Sequence, residues 1–523
     1  MRAFSSLEAL TLLSLLCCAL VCFWSRLIAF KSSLRLPLPP GPKANWLGKV
    51  VDLPRSRPWL TYAQWKDVYG DLVYIRVFGN PILVLNSSTV ASDLLEKRGG
   101  NYSSRPVRTM IVELIGWDWL VSAFRYGDWW RRHRNVFHRH LPANDSSVLR
   151  HPLQIQETHA MLRGLLHSPS NFRYHVRKTA ATIVLKMTYG TKVGGVGEEY
   201  VALADNAIAS LAQAGIFGTY LVDYIPCLKY VPPWFPGASF RRKADEWRKL
   251  TRAMLNVPFT RVKEELAQGL ASSCVVADEL EHLSPDSDPS EESIIKNVAA
   301  TMYAAGADTV VSAMSTFFLA MSLYPDVQAK AQAELDSVLG QRLPLFTDRS
   351  QLPFVDHICY ELLRWNPVTP LGIAHYVSEG FSPCFKDDEY NGYHIPKGTT
   401  VLPNVWAILH DPDVYPDPLA FNPDRFSREN RRDGMNPIPD PAFGFGRRFC
   451  PGKFLAFDTL WIVVSSTLAV YNISKEIDEK GAVKEPVVEF TSQLLSHPMP
   501  FSCTITPRSA ASRQLVVQTE TDI

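Results

Sequence analysis

Residues 443–452 read FGFGRRFCPG, and directly behind them stands an apolar run, KFLAFDTLWIVVSSTLAV, long enough for about five turns of helix. The preceding PIPDPAFGFG is rich in turn formers, so Cys450 falls at a loop-to-helix junction. Amide groups at a helix start favour an anion, which predicts a depressed pKa and a thiolate able to bind iron. Gly446 and Gly452 are expected to remove side chains where a flat ligand lies against the backbone. Arg448 offers a fork suited to a carboxylate.

The other cysteines do not compete for this role. Cys17, Cys18 and Cys22 lie in the apolar N-terminus, and Cys227, Cys274, Cys359, Cys384 and Cys503 are scattered without C-x-x-C pairs, as reduced thiols are. With 54 basic against 52 acidic residues the chain has no basic block or stripe, which removes nucleic acid as a partner. Ala9 to Trp24 is apolar and the run resumes at Leu27 to Phe30 after Arg26. That is enough to cross a bilayer with the arginine snorkelling to the headgroups. No small-x-small cleavage site follows, and Lys31 and Arg35 place the body on the cytosolic side. Residues 1–30 are therefore read as one N-terminal transmembrane helix and membrane anchor, 31–45 as a proline-stiffened connector, 46–508 as one catalytic domain and 509–523 as a polar tail.

Within the domain, DLVYIRVFGNPILVLNS (71–87) alternates as a hairpin does, and Tyr390–Val405 returns to strand character around an Asn-Gly turn. Elsewhere helical patterns dominate, at Ala91–Arg98, Asp128–His138, 172–190, Phe240–Gln268 and from Glu291 to Tyr324 before Pro325. The fold class is mainly α with a minor β part. Between Val298 and Met321 the only charge is Asp308, so a second membrane span competes with a buried core helix; small residues and hydroxyls favour the core. Gly306 inside it costs about 1 kcal/mol of helix propensity and demands a reason.

Phe443, Gly446, Arg448, Cys450 and Gly452 meet the spacing F-x-x-G-x-R-x-C-x-G at every position. The loop resembles the haem-ligating loop of the cytochromes P-450, the haem-thiolate monooxygenases. AAGADTVVSAM (304–314) is similar to that family's A-G-x-D/E-T signature. The resemblance implies a helix that loosens beside the haem to admit oxygen, with Asp308 and Thr309 delivering protons. Trp130 and Arg134 resemble the W-x-x-x-R pair that bonds haem propionates. His375 stands where the family often has a propionate-binding Arg or His, although Ala374 replaces the usual proline and 379–386 looks like an insertion. Glu361 and Arg364 of ELLR, with Arg425 of NPDRF, resemble the structural triad behind the haem. The likeness runs from Leu36 to about Pro507, and LEKRG, LKYVPPWFPGASFRRKADEW and FFLAMSLYPDVQAKAQAELD look like fungal microsomal members. Among them the chain most resembles the group containing O-methylsterigmatocystin oxidoreductase and tryptamine hydroxylase, a likeness of subgroup that transfers no substrate.

The resemblance implies a cytochrome P-450 fold, heme b on the Cys450 thiolate, and a monooxygenase on the cytosolic face of the endoplasmic reticulum membrane. No dinucleotide fingerprint or flavin-binding segment is present, so NADPH electrons are expected through a separate NADPH-cytochrome P-450 reductase. Arg131, Arg132, Arg139, Arg447 and Lys453 are its expected docking face. By family analogy the pocket falls in VELIGWDWLVSAF, LAQAGIFGTYL, Tyr303, PVTPLGIA and TSQLLSHP. Trp117, Trp119 and Phe124 point to a hydrophobic substrate, a terpenoid first and an indole or polyketide-derived aromatic next. Glu113 and Asp118 could instead contact an amine, although facing solvent is the simpler reading. An oxygen-independent isomerase or dehydratase and a haem sensor are the rivals, and the intact Asp308–Thr309 pair argues against both.

Overall fold

The computed structural model describes residues 36–43, 54, 56–142, 150–191, 196–216, 218–378, 387–431 and 434–520. The expected N-terminal span, part of the connector and the 379–386 insertion lie outside them.

Helices make up most of the domain. In chain order the long ones are α1 (Pro58–Tyr69), α2 (Asp128–His140), α3 (His151–His167), α4 (Phe172–Tyr189), α5 (Val196–Gly215), α6 (Ser239–Ala267), α7 (Ser290–Leu323), α8 (Pro325–Leu339), α9 (Pro353–Trp365), α10 (Lys453–Val470) and α11 (Ala510–Gln518). Helix α7 is the axis. Glu291 and Glu292 sit in its first turn, where the dipole favours acids, and it stops at Tyr324 before Pro325. Helices α7 and α10 are each long and apolar enough to cross a membrane, yet both are largely buried in the domain, which answers the competing reading for Val298–Met321. A Cβ on Gly306 would approach Val184 Cγ2 of α4 to 3.1 Å, so the glycine is there to let two helices close.

The hairpin 71–87 forms as expected, β1 (Leu72–Val77) pairing antiparallel with β2 (Asn80–Leu85). Phe78 and Gly79 turn it with φ of 47° and 82°, the mirror-type turn that matches strand twist. Strand β2 pairs in parallel with β6 (Thr400–Pro403), whose other edge takes β3 (His375–Tyr376). Asn391 and Gly392, at φ 50° and 77°, turn between β4 (Asp388–Tyr390) and β5 (Tyr393–Ile395). A second sheet joins β8 (Val483–Lys484), β7 (Tyr471–Ile477) and β9 (Cys503–Pro507).

Residues 509–523 read as a polar tail, but Ala510–Gln518 is a helix. The Ser509 hydroxyl accepts from Ser512 N–H as its cap, and Val516 is fully buried in the main core. Val516, with the partly buried Leu515 packed beside it, docks a helix that composition alone calls polar.

Candidate active site

A cavity of about 440 Å³ lies against the middle of α7, walled by α2, α4, the end of α5, residues 368–375, and the loop that leads into α10. Its lining is overwhelmingly apolar. Trp59, Trp130, Phe137, Phe443, Phe445 and Phe457 supply the aromatic surface, and Cys450 and Gly452 form part of the wall.

The loop is built from short turns. Asp440–Phe443 and Gly446–Arg448 are single 3₁₀ turns joined through Gly444 at φ 86°, and Cys450 N–H donates to Phe443 O at 2.9 Å. Gly452, the cap of α10, lies on the cavity, where a Cβ would come within 3.9 Å of Cys450 Sγ. Gly446 does not make room for a ligand. Its φ is +53° and a Cβ there would stand 2.3 Å from Leu95 O, so it lets the loop nest on the backbone of residues 95–96. The expected depressed thiol pKa is not found either. Burial pushes Cys450 up, against smaller opposing contributions from the Gly452 amide and Arg134. The positive charge of a bound metal would favour the thiolate there.

Above the loop stand the buried Arg105 and Arg448 and the half-buried Arg134, with no carboxylate between them among the described residues. Arg448 Nε donates to Ser103 O and Nη2 to Phe124 O, while Nη1 is buried without a partner. Arg448 lies over the Trp130 ring at 4.4 Å, and Arg134 donates from Nη2 to Phe449 O. Arg105 is fully buried, donating to Ser122, Ile373 and Ala374 carbonyls; burial lowers it to about 9. Arg448 is lowered to about 8 by burial and by Arg105 and Arg134. His375 is pushed well below its usual value by burial, then by Arg105, and its Nδ1–H donates to Tyr102 O. Buried like charges are tolerated only where an anion completes them. Carboxylates entering the cavity meet that demand, so the residues fit a haem with its propionates on this edge. Arg105 was missed in the sequence because a lone arginine in YSSRPV, 25 residues ahead of Trp130, carries no spacing signal.

Helix α7 runs unbroken through Gly306, without the loosening that the resemblance implies. Thr309 lines the cavity and its hydroxyl donates back to Ala305 O at 2.7 Å. Asp308 does not line the cavity. Its carboxylate lies on the flank of α7, 3.1 Å from Arg177 Nη2 and 3.3 Å from His497 Nε2; burial pushes its pKa up, but the contacts with His497 and Arg177 outweigh it and hold the pKa low.

The cytochrome P450 family model matches residues 38–504. The chain belongs to the cytochromes P450. It is 43% identical over 505 residues to a cytochrome P450 monooxygenase of Armillaria gallica, covering 95% of this chain and 97% of that protein. Cytochrome P450 monooxygenase 208 of Postia placenta is 43% identical over 93% of both chains, and cytochrome P450 monooxygenase COX2 of Coprinopsis cinerea is 42% identical over 93% of this chain and 92% of that one.

In this P450 the ELLR pair is wholly buried: Arg364 Nε and Nη2 meet Glu361 at 2.7 and 2.9 Å, and Arg425 Nε reaches it at 3.1 Å. The two arginines also donate to the carbonyls of Leu409, Pro416, Pro418 and Ala420, pinning the proline-rich segment 409–425. Several pocket expectations shift. Segments 112, 120–123, 211–216, 368–374 and 493–495 contribute walls, but Tyr303, Trp117, Trp119 and Phe124 do not. Trp117 is fully buried elsewhere, near Ser210 Oγ. Glu113 pairs with Lys229 and Asp118 with Arg252, both off the cavity. Of the expected docking cations, Arg131, Arg132, Arg139 and Lys453 are paired internally with Asp128, Glu291, Glu279 and Asp440 respectively, and Arg447 donates to Tyr126 Oη.

Proposed function

We propose that this haem-thiolate monooxygenase oxidises a neutral, hydrophobic small molecule, a terpenoid of fungal secondary metabolism, with electrons from NADPH through a separate reductase. The observation that carries the substrate reading is the chemistry of the cavity wall. Arg108, the charged residue lining it away from the cationic edge, is bonded to Asp223 and to the carbonyls of Ala214, Gly215 and Ile216. Neither Glu113 nor Asp118 lines the cavity. Apolar burial is then the main term available for binding, at about 25 cal/mol per Å².

Bound haem, ligated by the Cys450 thiolate, supplies the oxygen activation. The chain's own groups do the rest. Arg105, Arg448, Arg134, His375 and Trp130 would hold the carboxylates of the haem, Gly452 would leave room for it beside Cys450, and the apolar walls exclude water and orient substrate. Asp308 and Thr309 are the proton source, with the Thr309 hydroxyl at the cavity and Asp308 one residue behind it. The anchor at 1–30 holds the enzyme on the endoplasmic reticulum membrane, facing the cytosol.

Cells coexpressing the chain with a fungal reductase and fed terpenoids, indoles and polyketide aromatics should yield a terpenoid heavier by one oxygen, read by mass spectrometry. A product only from the indole or polyketide panel overturns the substrate class; an isomerised or dehydrated product overturns the oxidation. Charge reversal at Arg447 and Lys453 should slow reductase-driven haem reduction by roughly tenfold at low salt, the lower range of electrostatic steering, and leave haem content unchanged. Equal reduction rates would remove this docking face.

A further inference from the structure

We propose that Thr301 is a specificity-determining residue whose hydroxyl donates to an oxygen already present on the substrate, so that the cavity selects an alcohol or carbonyl compound over the bare hydrocarbon of the same skeleton. The inference deepens the reading of the cavity as a site for a neutral terpenoid and rests on it.

Away from the cationic edge, four hydroxyl or amide side chains of the wall donate to no described residue: Ser122, Thr301, Thr369 and Gln493. Ser122 and Thr369 are partly buried and Gln493 is exposed, so water can complete them. Thr301 differs, because it is only 5% exposed and its oxygen is already engaged. Val121 N–H, at the start of the short turn Val121–Ala123, donates to Thr301 Oγ1 at 3.2 Å. A hydroxyl that accepts on one lone pair turns its own proton away from that donor. On the same helix Thr309 and Thr316 send theirs back to the carbonyls of Ala305 and Ser312, at 2.7 and 2.8 Å. Thr301 makes no such bond to the carbonyl of Asn297. Its proton therefore has no acceptor among the described residues, at a position that lines the cavity.

A buried donor without an acceptor is costly, and an oxygen on the ligand is what cancels that cost. Haem offers Thr301 only its carboxylates, which Arg105, Arg134 and Arg448 claim with a charge that threonine lacks. Val121, Val298 and Met302 about Thr301 belong to one apolar cluster, so a single neutral oxygen on an otherwise apolar molecule fits there. Thr301 and Thr309 are eight residues apart on α7, about 12 Å along its axis. A substrate held by its oxygen at Thr301 thus presents its far end beside Thr309, not the carbon that bears the oxygen. A hydrocarbon skeleton gains such an oxygen by an earlier oxygenation or by capture of water at the end of a carbocation cyclisation. A reaction of one of those classes precedes this enzyme.

The test uses the full-length haem-loaded protein without turnover, since a ligand that displaces water beside the haem changes its absorption spectrum and so gives a dissociation constant. The probes are two matched pairs, cedrene with cedrol and farnesene with farnesol. Water solvates the alcohol better than the hydrocarbon, so the quantity compared between proteins is the ratio of the two constants rather than either alone. Thr301→Val, close in volume but without the hydroxyl, should move that ratio against the alcohol by roughly three- to tenfold, the worth of one neutral hydrogen bond. Thr301→Ser should restore it to within about twofold of wild type. In Thr301→Val the Val121 amide loses its acceptor whichever ligand is bound, so a merely structural role weakens both members of a pair equally. That equal weakening, or an unchanged ratio, overturns the inference and leaves the terpenoid reading in place. A fall in haem content with an unchanged ratio assigns the hydroxyl to the haem instead and also overturns it. If the wild type binds neither pair, the terpenoid reading fails and this inference with it.

Discussion

Cys450→Ala should reduce monooxygenase turnover to background while leaving the polypeptide folded. The argument is one of separable contributions. The thiol sits on the cavity wall and the backbone bond from Cys450 N–H to Phe443 O survives the substitution. Removing one sulfur atom at a cavity surface creates no new enclosed void, so the cost to stability stays within about 1 kcal/mol. The cationic edge formed by Arg105, Arg134 and Arg448 also remains, so the variant should retain some affinity for haem through its carboxylates. What disappears is the strong anionic donor that pushes electron density toward oxygen. The measurements are haem content, the absorption spectrum of the reduced protein under carbon monoxide, and product formation. A variant that keeps the wild-type spectrum and turnover would show that another group ligates the iron.

How far the sequence reveals this site depends on which residues meet through local geometry and which through the fold. Glu361 and Arg364 are three apart, so their facing was legible, and an otherwise apolar surround argued for burial; the structure places both at 0% exposure. The hairpin turn and the Asn391–Gly392 turn were legible for the same reason, since a two-residue turn is a local problem. Arg105 could not be read, because Arg134, His375 and Arg448 are brought to it only by packing. Trp117 and Trp119 show the converse error: they are apolar and lie in the right segment, but the turn that carries them packs them into the core shared with α5, α6 and α7 rather than the cavity. Periodicity tells which side chains share a face. It does not tell which face meets the void, and for Asp308 that single rotation separates a cavity residue from a flank residue. Gly446 was identified correctly as a position that excludes a side chain, yet its reason, the Leu95 carbonyl, is 351 positions away in the chain.

Glu361→Ala should be the most destabilising single substitution at the triad. It leaves Arg364 and Arg425 with side-chain exposures of 0% and 3% and no anion between them. Breaking one partner out of a buried charge network costs about 3–5 kcal/mol, against a total stability of about 5–15 kcal/mol for a folded domain. Glu361 Oε1 also accepts from Asn422 N–H at 2.7 Å, so its loss frees the segment that leads toward the cysteine loop. The expected result is a large fall in the urea midpoint and loss of bound haem, from a residue with no place in the cavity wall. Glu361→Gln keeps an acceptor oxygen without the charge and should fall between wild type and alanine. The exposed pair Lys263–Glu292, with side chains 52% and 43% accessible, is the control: Glu292→Gln should move stability by no more than about 0.5 kcal/mol. If Glu361→Ala and Glu292→Gln cost the same, the buried network is not what fastens residues 409–425 to α9, and the carbonyl bonds from the two arginines hold the segment on their own.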